Sequence, residues 1–526
     1  MVAKGYSHLP FLSLIVLSSV VAVLFQGSRG LYETTEGRYA ECAREMLLRG
    51  DFLEPTLDFQ PHWTKPPLTY WAIATGIALL GRNEWGARAY LIPTFCLLVA
   101  TVYLIGDRLW GKEVAFHCGL VYATSLFPVV SANVVSADTM LALWEALAVL
   151  GFWISVRSKK KRGFALMWFS LGMGFLTKGP PSLIPLLAIL PVYALVKRQE
   201  QDTPSLISAV GVLLFSTAGL TWYGYEGLRH PGLIPYWIRH EVVGHVFTRE
   251  SARNPQWYKA ILIYGPTLIL GALPWLGVLV LKSKVLLWSH TNGLIARHRG
   301  RKIEWSFIGL SFVLPLIAFS LSQSKLPFYI LPLFLPVSLA IGRGLYLLVK
   351  DQRIKLSTLV WVVCITVITM VAAKGIAAHT PFPKDMRRLA LAITSETSAT
   401  DRPQIIVLGD DPLYGLEFYL DRLLVRVSWT EGGETSALPF NRLQEAIGVG
   451  RDQGESVFVL VHNKGLVRFL RKLSKVLGEE CLERPIQVIA NGSLEDRPCR
   501  LKKIDEHWSM IRIRPGSTAS PEKTAK

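Results

Sequence analysis

About eleven apolar stretches, each near the length of a bilayer crossing, are spaced along residues 11–378, and they leave this chain little choice of environment. A crossing helix takes about 20 apolar residues, because in lipid every backbone N–H and C=O must be satisfied within the segment. The first six run Phe11 to Phe25, Ala87 to Ile105, Val114 to Ser131, Thr139 to Val156, Phe164 to Thr177 and Ser182 to Val196. The others run Leu206 to Tyr223, Ala260 to Leu281, Ile303 to Leu321, Phe328 to Val349 and Thr358 to Ala378. With 51% hydrophobic and 18% charged residues, an ordinary soluble globule is excluded. No small-x-small cleavage pattern follows the first stretch, which reads as a retained anchor.

The net charge of +18 does not indicate nucleic acid, because Lys and Arg fall in short clusters between apolar runs with no basic stripe interleaved with stacking aromatics. These clusters are Arg157 to Arg162, Lys197 with Arg198, Lys282 with Lys284, Arg297 to Lys302, and Lys350 to Lys355. With Met1 inside, all of them lie on the cytoplasmic face, next to anionic lipid. Pro66 to Gly81 is apolar, short and opens on two prolines, so it is expected as a helix in the interface or re-entering the membrane.

After His379 the composition turns polar. Ile405 to Leu408, Leu423 to Val427, Val457 to Val461, Ile486 to Ile489 and Met510 to Ile513 read as strands, with helical stretches such as Leu466 to Leu477 between them. The expectation is a membrane domain over 1–379, a small α/β soluble domain over 380–514, and a disordered tail over 515–526. An odd number of crossings puts the soluble domain outside the cytoplasm. The six cysteines form no CxxC or Cys/His cluster. Cys96, Cys118 and Cys364 read as small buried hydrophobes, and Cys481 and Cys499 lie in the polar tail, where they could pair in an oxidising compartment.

On this topology the polar motifs gather on the outer face. The first outer loop, 27–86, holds Leu31 to Trp71, with Glu33, Glu36, Arg38, Glu41, Glu45 and Lys65. Asn133 to Asp138, Lys178 to Pro180, the 224–258 loop with His240, Glu241, His245 and Arg249, and Ser324 to Pro327 with Lys325 share that face. Charge near the hydrocarbon boundary is costly and marks function. Lys65, Lys178, Arg249 and Lys325, with few acids at their own positions, suit a phosphate held at membrane level, the depth of a lipid-linked donor's headgroup. A carboxylate beside that phosphate can take a proton from an acceptor hydroxyl.

Glu36 is either that carboxylate or a first-turn acid on a helix opening at Thr34 or Thr35. Asp138 is either an active-site acid or a helix cap. Glu41 and Glu45, a turn apart beside Arg38 and Arg44, read as a solvated salt-bridged face. Lys65 and Lys178 have a second reading as ammonium groups seeking the interface. His240 and His245 are five apart without an HExxH pattern, which favours an interfacial or structural role, with His245 kept as a metal candidate. Trp222, Trp237 and Trp257 read as an aromatic belt.

These motifs resemble glycosyltransferase family 39, the family of the protein O-mannosyltransferases and the lipid A 4-amino-4-deoxy-L-arabinose transferases, in its bacterial branch. The resemblance is carried by EGRYAECAREML at Glu36 to Leu47, GDF at Gly50 to Phe52, TKPPLTYW at Thr64 to Trp71 and ADTMLAL at Ala137 to Leu143. It continues through FLTKGP at Phe175 to Pro180, GHVFTR at Gly244 to Arg249 and SKLPFYILP at Ser324 to Pro332. It implies a GT-C fold and an inverting transfer of a sugar from a polyprenyl phosphate to an envelope glycolipid such as lipid A, in the bacterial inner membrane with the site on its periplasmic side. The catalytic residues would be Glu36, Glu33 and Asp138, and the donor phosphate would be held by Lys65, Arg38, Lys178, Arg249 and Lys325. A protein acceptor is the alternative acceptor, and a transporter of lipid-linked intermediates is the alternative from outside the enzymes. The family's Asp-Glu pair reads Thr35-Glu36 here, which leaves Glu36 or Glu33 as the base. The aminoarabinose transferases commonly place a metal-binding Glu before the Lys-Pro; here that residue is Thr64, so a divalent metal is left open and no ligand set is carried over.

Overall fold

Every one of the eleven apolar stretches is helical over most of its length in the computed structural model, which describes residues 8–244, 253–289, 302–397, 403–409, 412–428, 438–452, 456–463, 466, 499–504 and 507–513. They differ in how cleanly they could cross a membrane. Six helices among the described residues are long and apolar enough: Glu84–Trp110, Ala137–Ser158, Pro180–Gln199, Lys302–Leu321, Pro327–Lys350 and Leu356–His379. Tyr258–Gly271 and Trp275–Lys282 would add a seventh, but they are bent by 80° at their junction. The first stretch forms only the 15-residue helix Leu9–Val23, and the Leu206 to Tyr223 stretch is broken by a π-helical turn at Ser216–Leu220. Leu68–Leu80 is the short apolar helix expected after the paired prolines.

The chain divides into two compact units, one of Met1–Arg29 with Cys42–Thr380 and one of Gly30–Glu41 with Pro381–Lys526. In the first, Ala137–Ser158 and Arg162–Lys178 pack as a hairpin turned by Lys159 in the left-handed region. Their backbones approach where both helices carry glycine. A Cβ on Gly151 would lie 2.5 Å from the Gly163 carbonyl oxygen, and one on Gly163 would lie 2.3 Å from that of Gly151. Small residues at such contacts let helices gain dispersion where lipid supplies no hydrophobic drive. Around the hairpin, Phe152 stacks on Phe307 and Trp153 meets the same ring edge-on.

The second unit is built on a six-stranded sheet in the order Leu438–Pro439, Val425–Ser428, Gln404–Leu408, Val457–His462, Trp508–Ile513, Cys499–Lys503. The first four strands are parallel and the last two antiparallel. Alternation along the central strands supplies two apolar faces. Ile406 and Leu408 join Val457, Val459 and the Leu443–Asp452 helix, while Ile405 and Val407 join Phe458, Leu460 and the Met386–Thr394 helix. The 486–489 strand, Cys481 and nearly all of the 466–477 helix lie outside the described residues.

Gly30–Glu41 belongs to this second unit, although the sequence places it in the catalytic loop of the membrane domain. Its partners explain why. Glu33 N donates to Lys384 O at 3.0 Å, Met386 N to Leu31 O at 3.3 Å, and Leu31 N to the Tyr419 hydroxyl at 2.9 Å. Tyr32 also packs on Phe382 with ring centroids 4.8 Å apart.

Candidate active site

Asp138 stands in the first turn of the Ala137–Ser158 helix, and its cap question is settled by its neighbour. The Ser136 hydroxyl accepts the Asp138 amide at 3.3 Å, which leaves the Asp138 carboxylate free for another group. That group is Lys178 at the end of the Arg162–Lys178 helix, whose ammonium donates to Asp138 Oδ1 and sits 4.5 Å from the Tyr329 ring centroid. Both side chains are only 13% exposed, so the charges face each other largely out of water.

Lys65 follows the same pattern. It precedes two prolines and the Leu68–Leu80 helix, and its Nζ lies 3.1 Å from Glu241 Oε2 and 2.6 Å from the Thr64 carbonyl. The expectation of cations with few acids nearby is therefore corrected: both lysines are ion-paired, because a cation this far from solvent requires a counter-charge.

These two pairs line one cavity of about 720 Å³. Its wall is otherwise mostly aromatic and apolar, from Trp63, Phe175, Trp222, Tyr223, Trp237 and Tyr329. Trp222 and Trp237 are buried here rather than forming an interfacial belt, their rings 5.3 Å apart, whereas Trp257 is 76% exposed. The indole N–H of Trp222 donates to Leu53 O at 2.8 Å and that of Trp237 to Trp63 O at 3.0 Å, so the first loop is tied to this wall.

The other predicted residues are placed differently. Lys325 is 2% exposed and does not line the cavity: its ammonium donates to the carbonyls of Ser322 at 2.7 Å and Pro255 at 3.2 Å, while Ser322 and Ser324 line it. Arg249 and His245 lie outside the described residues. His240 is exposed and packs on Tyr236.

Glu33, Glu36 and Arg38 belong to the second unit. Glu33 is 8% exposed and its Oε1 accepts the Gly415 amide, while Oε2 is buried without a hydrogen bond among the described residues. Burial pushes its carboxyl up to about 8, despite that hydrogen bond and the cations Arg426 and Arg38. Glu33 is thus mainly neutral at pH 7, which is a poor state for a base. Glu36 is 2% exposed and accepts the Tyr32 amide at 3.0 Å in the first turn of Thr35–Arg49. Arg38 is half-buried and lies 5.9 Å from the Tyr39 ring centroid.

Glu41 and Glu45 are fully buried rather than solvated, and Glu45 accepts the Phe59 amide at 3.0 Å, where Asp58 and Phe59 turn with positive φ. Cys364 is exposed rather than buried, on the Leu356–His379 helix.

At the position where the resemblance expects a metal-binding carboxylate, Thr64 Oγ1 is 2.6 Å from His62 Nε2. A neutral hydroxyl engaged in this way offers no anionic ligand, so the residues here do not fit that metal. Sequence reasoning named Glu241 without giving it a role. The signal for it was an acid in a loop on the same face as Lys65, and only the fold brings together groups 176 positions apart.

Comparison with known proteins places these features in a family. Residues 64–222 match the family described as dolichyl-phosphate-mannose-protein mannosyltransferase. An undecaprenyl phosphate-α-4-amino-4-deoxy-L-arabinose arabinosyl transferase from Photorhabdus laumondii is 30% identical over 409 residues, which are 73% of this chain and 69% of that protein. The corresponding transferase 2 of Pseudomonas fluorescens is 31% identical over 325 residues, 61% of this chain and 56% of its own. The chain therefore spans little more than half the length of several such relatives. The crystal structure of ArnT from Cupriavidus metallidurans bound to undecaprenyl phosphate superposes with a TM-score of 0.72 at 19% identity, covering 98% of this chain and 99% of that one. The shared fold is the GT-C membrane fold.

Proposed function

Since the chain belongs to the family of undecaprenyl phosphate-α-4-amino-4-deoxy-L-arabinose arabinosyl transferases, we propose that it moves a sugar from a polyprenyl phosphate to an envelope glycolipid such as lipid A, with inversion. The observation that carries this reading is the cavity itself: two ammonium groups, Lys65 and Lys178, and two carboxylates, Asp138 and Glu241, set in an aromatic wall. Phosphate, sugar faces and a lipid chain are the three chemistries such a wall recognises.

In the proposed reaction an acceptor oxygen attacks the anomeric carbon from the face opposite the phosphate. The bond from that carbon to the phosphate oxygen breaks, and its electron pair leaves with the polyprenyl phosphate. Lys65 and Lys178 turn from their carboxylates toward the charge that develops there, with Arg249 as a further donor from the motif pattern. A hydroxyl acceptor gives its proton to Asp138, the carboxylate at the cavity wall beside Lys178, whereas an acceptor phosphate is already anionic and requires no base. Glu33, held neutral, has a positioning role within the second unit.

The same reading takes all eleven apolar stretches as crossings in the bacterial inner membrane. It places the cavity and the 380–514 α/β domain on the periplasmic side, away from the basic clusters. Protein acceptors are the second reading, favoured by the match over residues 64–222.

The test is reconstitution of the full-length protein with a polyprenyl phosphate-linked aminopentose and lipid A, followed by mass spectrometry of lipid and protein. The reading expects the sugar's mass on lipid A, and loss of transfer in Asp138→Asn if the acceptor is a hydroxyl. Label in protein alone would favour the second reading, and donor moved without transfer would indicate a transporter.

A further inference from the structure

Outside the cavity, three side chains from two parts of the first unit converge without satisfying one another. Glu54 stands in the loop after the Thr35–Arg49 helix; Glu226 and His230 occupy the end of the Thr221–Arg229 helix and the residue beyond it. Glu54 Oε2 lies 3.3 Å and Glu226 Oε2 3.5 Å from His230 Nε2, and one ligand atom from each residue lies within 4.8 Å of the others. The Glu226 side chain has no solvent exposure, and among the described residues neither of its carboxylate oxygens accepts a hydrogen bond. His230 Nε2 is buried and makes no hydrogen bond among the described residues either. A protonated imidazole bridging the two acids would aim its N–H at one of them, and this nitrogen is aimed at neither.

From this arrangement we propose that Glu54, Glu226 and His230 bind a zinc ion that clips the 51–63 loop to the end of the Thr221–Arg229 helix. The spacing carries the choice of metal. Zinc bonds of about 2.0–2.1 Å set tetrahedrally place neighbouring ligand atoms about 3.3–3.4 Å apart, matching the two contacts to His230. Calcium and magnesium prefer all-oxygen sets, which an imidazole does not supply. Three protein ligands leave a fourth position for water.

Arg49 and Arg229 do not replace the ion. They approach the carboxylates only at 3.6–4.0 Å, outside hydrogen-bonding distance, and two of their three contacts are to the outer oxygens, Glu54 Oε1 and Glu226 Oε1. The consequence reaches the cavity through one ring: Trp63, which lines it, packs on His230 with centroids 5.0 Å apart. The metal is therefore structural, holding the segment that presents Lys65.

The test uses full-length, chelator-treated protein in detergent, titrated with zinc chloride by calorimetry, with metal counted by mass spectrometry and thermal stability followed in parallel. The expected result is one zinc per chain and a higher thermal midpoint with zinc. His230→Gln and Glu226→Gln should each weaken binding by more than about tenfold and abolish the thermal response. Glu54→Gln, on the loop side, gives the same readout from the other element should a helix variant fail to fold. Absence of zinc uptake by the unaltered protein, or uptake unchanged in the variants, overturns the proposal.

Discussion

Replacing Lys178 by Met removes one charge and keeps most of the side-chain volume, which separates what this lysine does for stability from what it does for transfer. In the folded protein its loss leaves the Asp138 side chain 13% exposed and without its cation. Breaking a fully buried pair costs about 3–5 kcal/mol, and an exposed pair is worth about 0–1 kcal/mol. For two groups facing an open cavity the cost falls between, at about 1–3 kcal/mol. Loss of a cation that stabilises the departing phosphate removes a preorganised charge, and the effect of such a loss is about 10²–10³-fold in turnover. A double-mutant cycle tells the two apart. Asp138→Asn combined with Lys178→Met no longer buries an orphan charge, so most of the thermal stability returns while sugar transfer stays at the low level. Turnover is read by mass spectrometry of lipid A from proteoliposomes, and stability by thermal unfolding in detergent. Lys178→Met turning over like the unaltered protein, or the double variant regaining transfer, would refute the phosphate role and reduce the lysine to a counter-ion.

Three further outcomes follow from particular contacts. Glu33 has a folded pKa raised by burial to about 8 from an ordinary 4.5, so the folded state binds more protons between those values. Docking of the 30–41 segment on its own unit should therefore weaken as pH rises from about 4.5 to 8 and level off above; Glu33→Gln should flatten that dependence, as read by hydrogen exchange across the segment. Gly151→Ala places a methyl 2.5 Å from a carbonyl oxygen and 2.6 Å from an amide nitrogen, neither of which can rotate away. A loss of about 1–3 kcal/mol is expected in thermal unfolding, as for overpacking elsewhere. Trp222→Phe keeps an aromatic face in the cavity but loses the indole bond to Leu53 O, a cost of about 0.5–1.5 kcal/mol. Faster hydrogen exchange in residues 51–63 is the measurement, and unchanged exchange there would show that the bond does not hold the loop.

Much of the helical layout was legible because lipid imposes a length and a composition on any crossing segment. The strand at Gln404–Leu408 was legible for a similar reason, its alternate residues feeding two apolar faces. Continuity was not legible: hydropathy does not register the π-helical turn at Ser216–Leu220 or the 80° bend after Gly271, since both keep an apolar composition while redirecting the backbone.

At the candidate site, the sequence by itself determined which charged residues sit beside apolar runs, and so which ones bear a cost that calls for a reason. Lys65, Asp138 and Lys178 were identified in that way, and all three line the cavity. Only the tertiary structure decided their partners. Lys178 finds Asp138 across 40 positions and Lys65 finds Glu241 across 176, while Glu33 is withdrawn into a different unit by Gly415, 382 positions away. Local pattern reports the cost of placing a charge near lipid, because that cost depends on the residue and its immediate neighbours. The identity of the compensating group depends on which distant segments the helix packing and the sheet bring within a few ångströms.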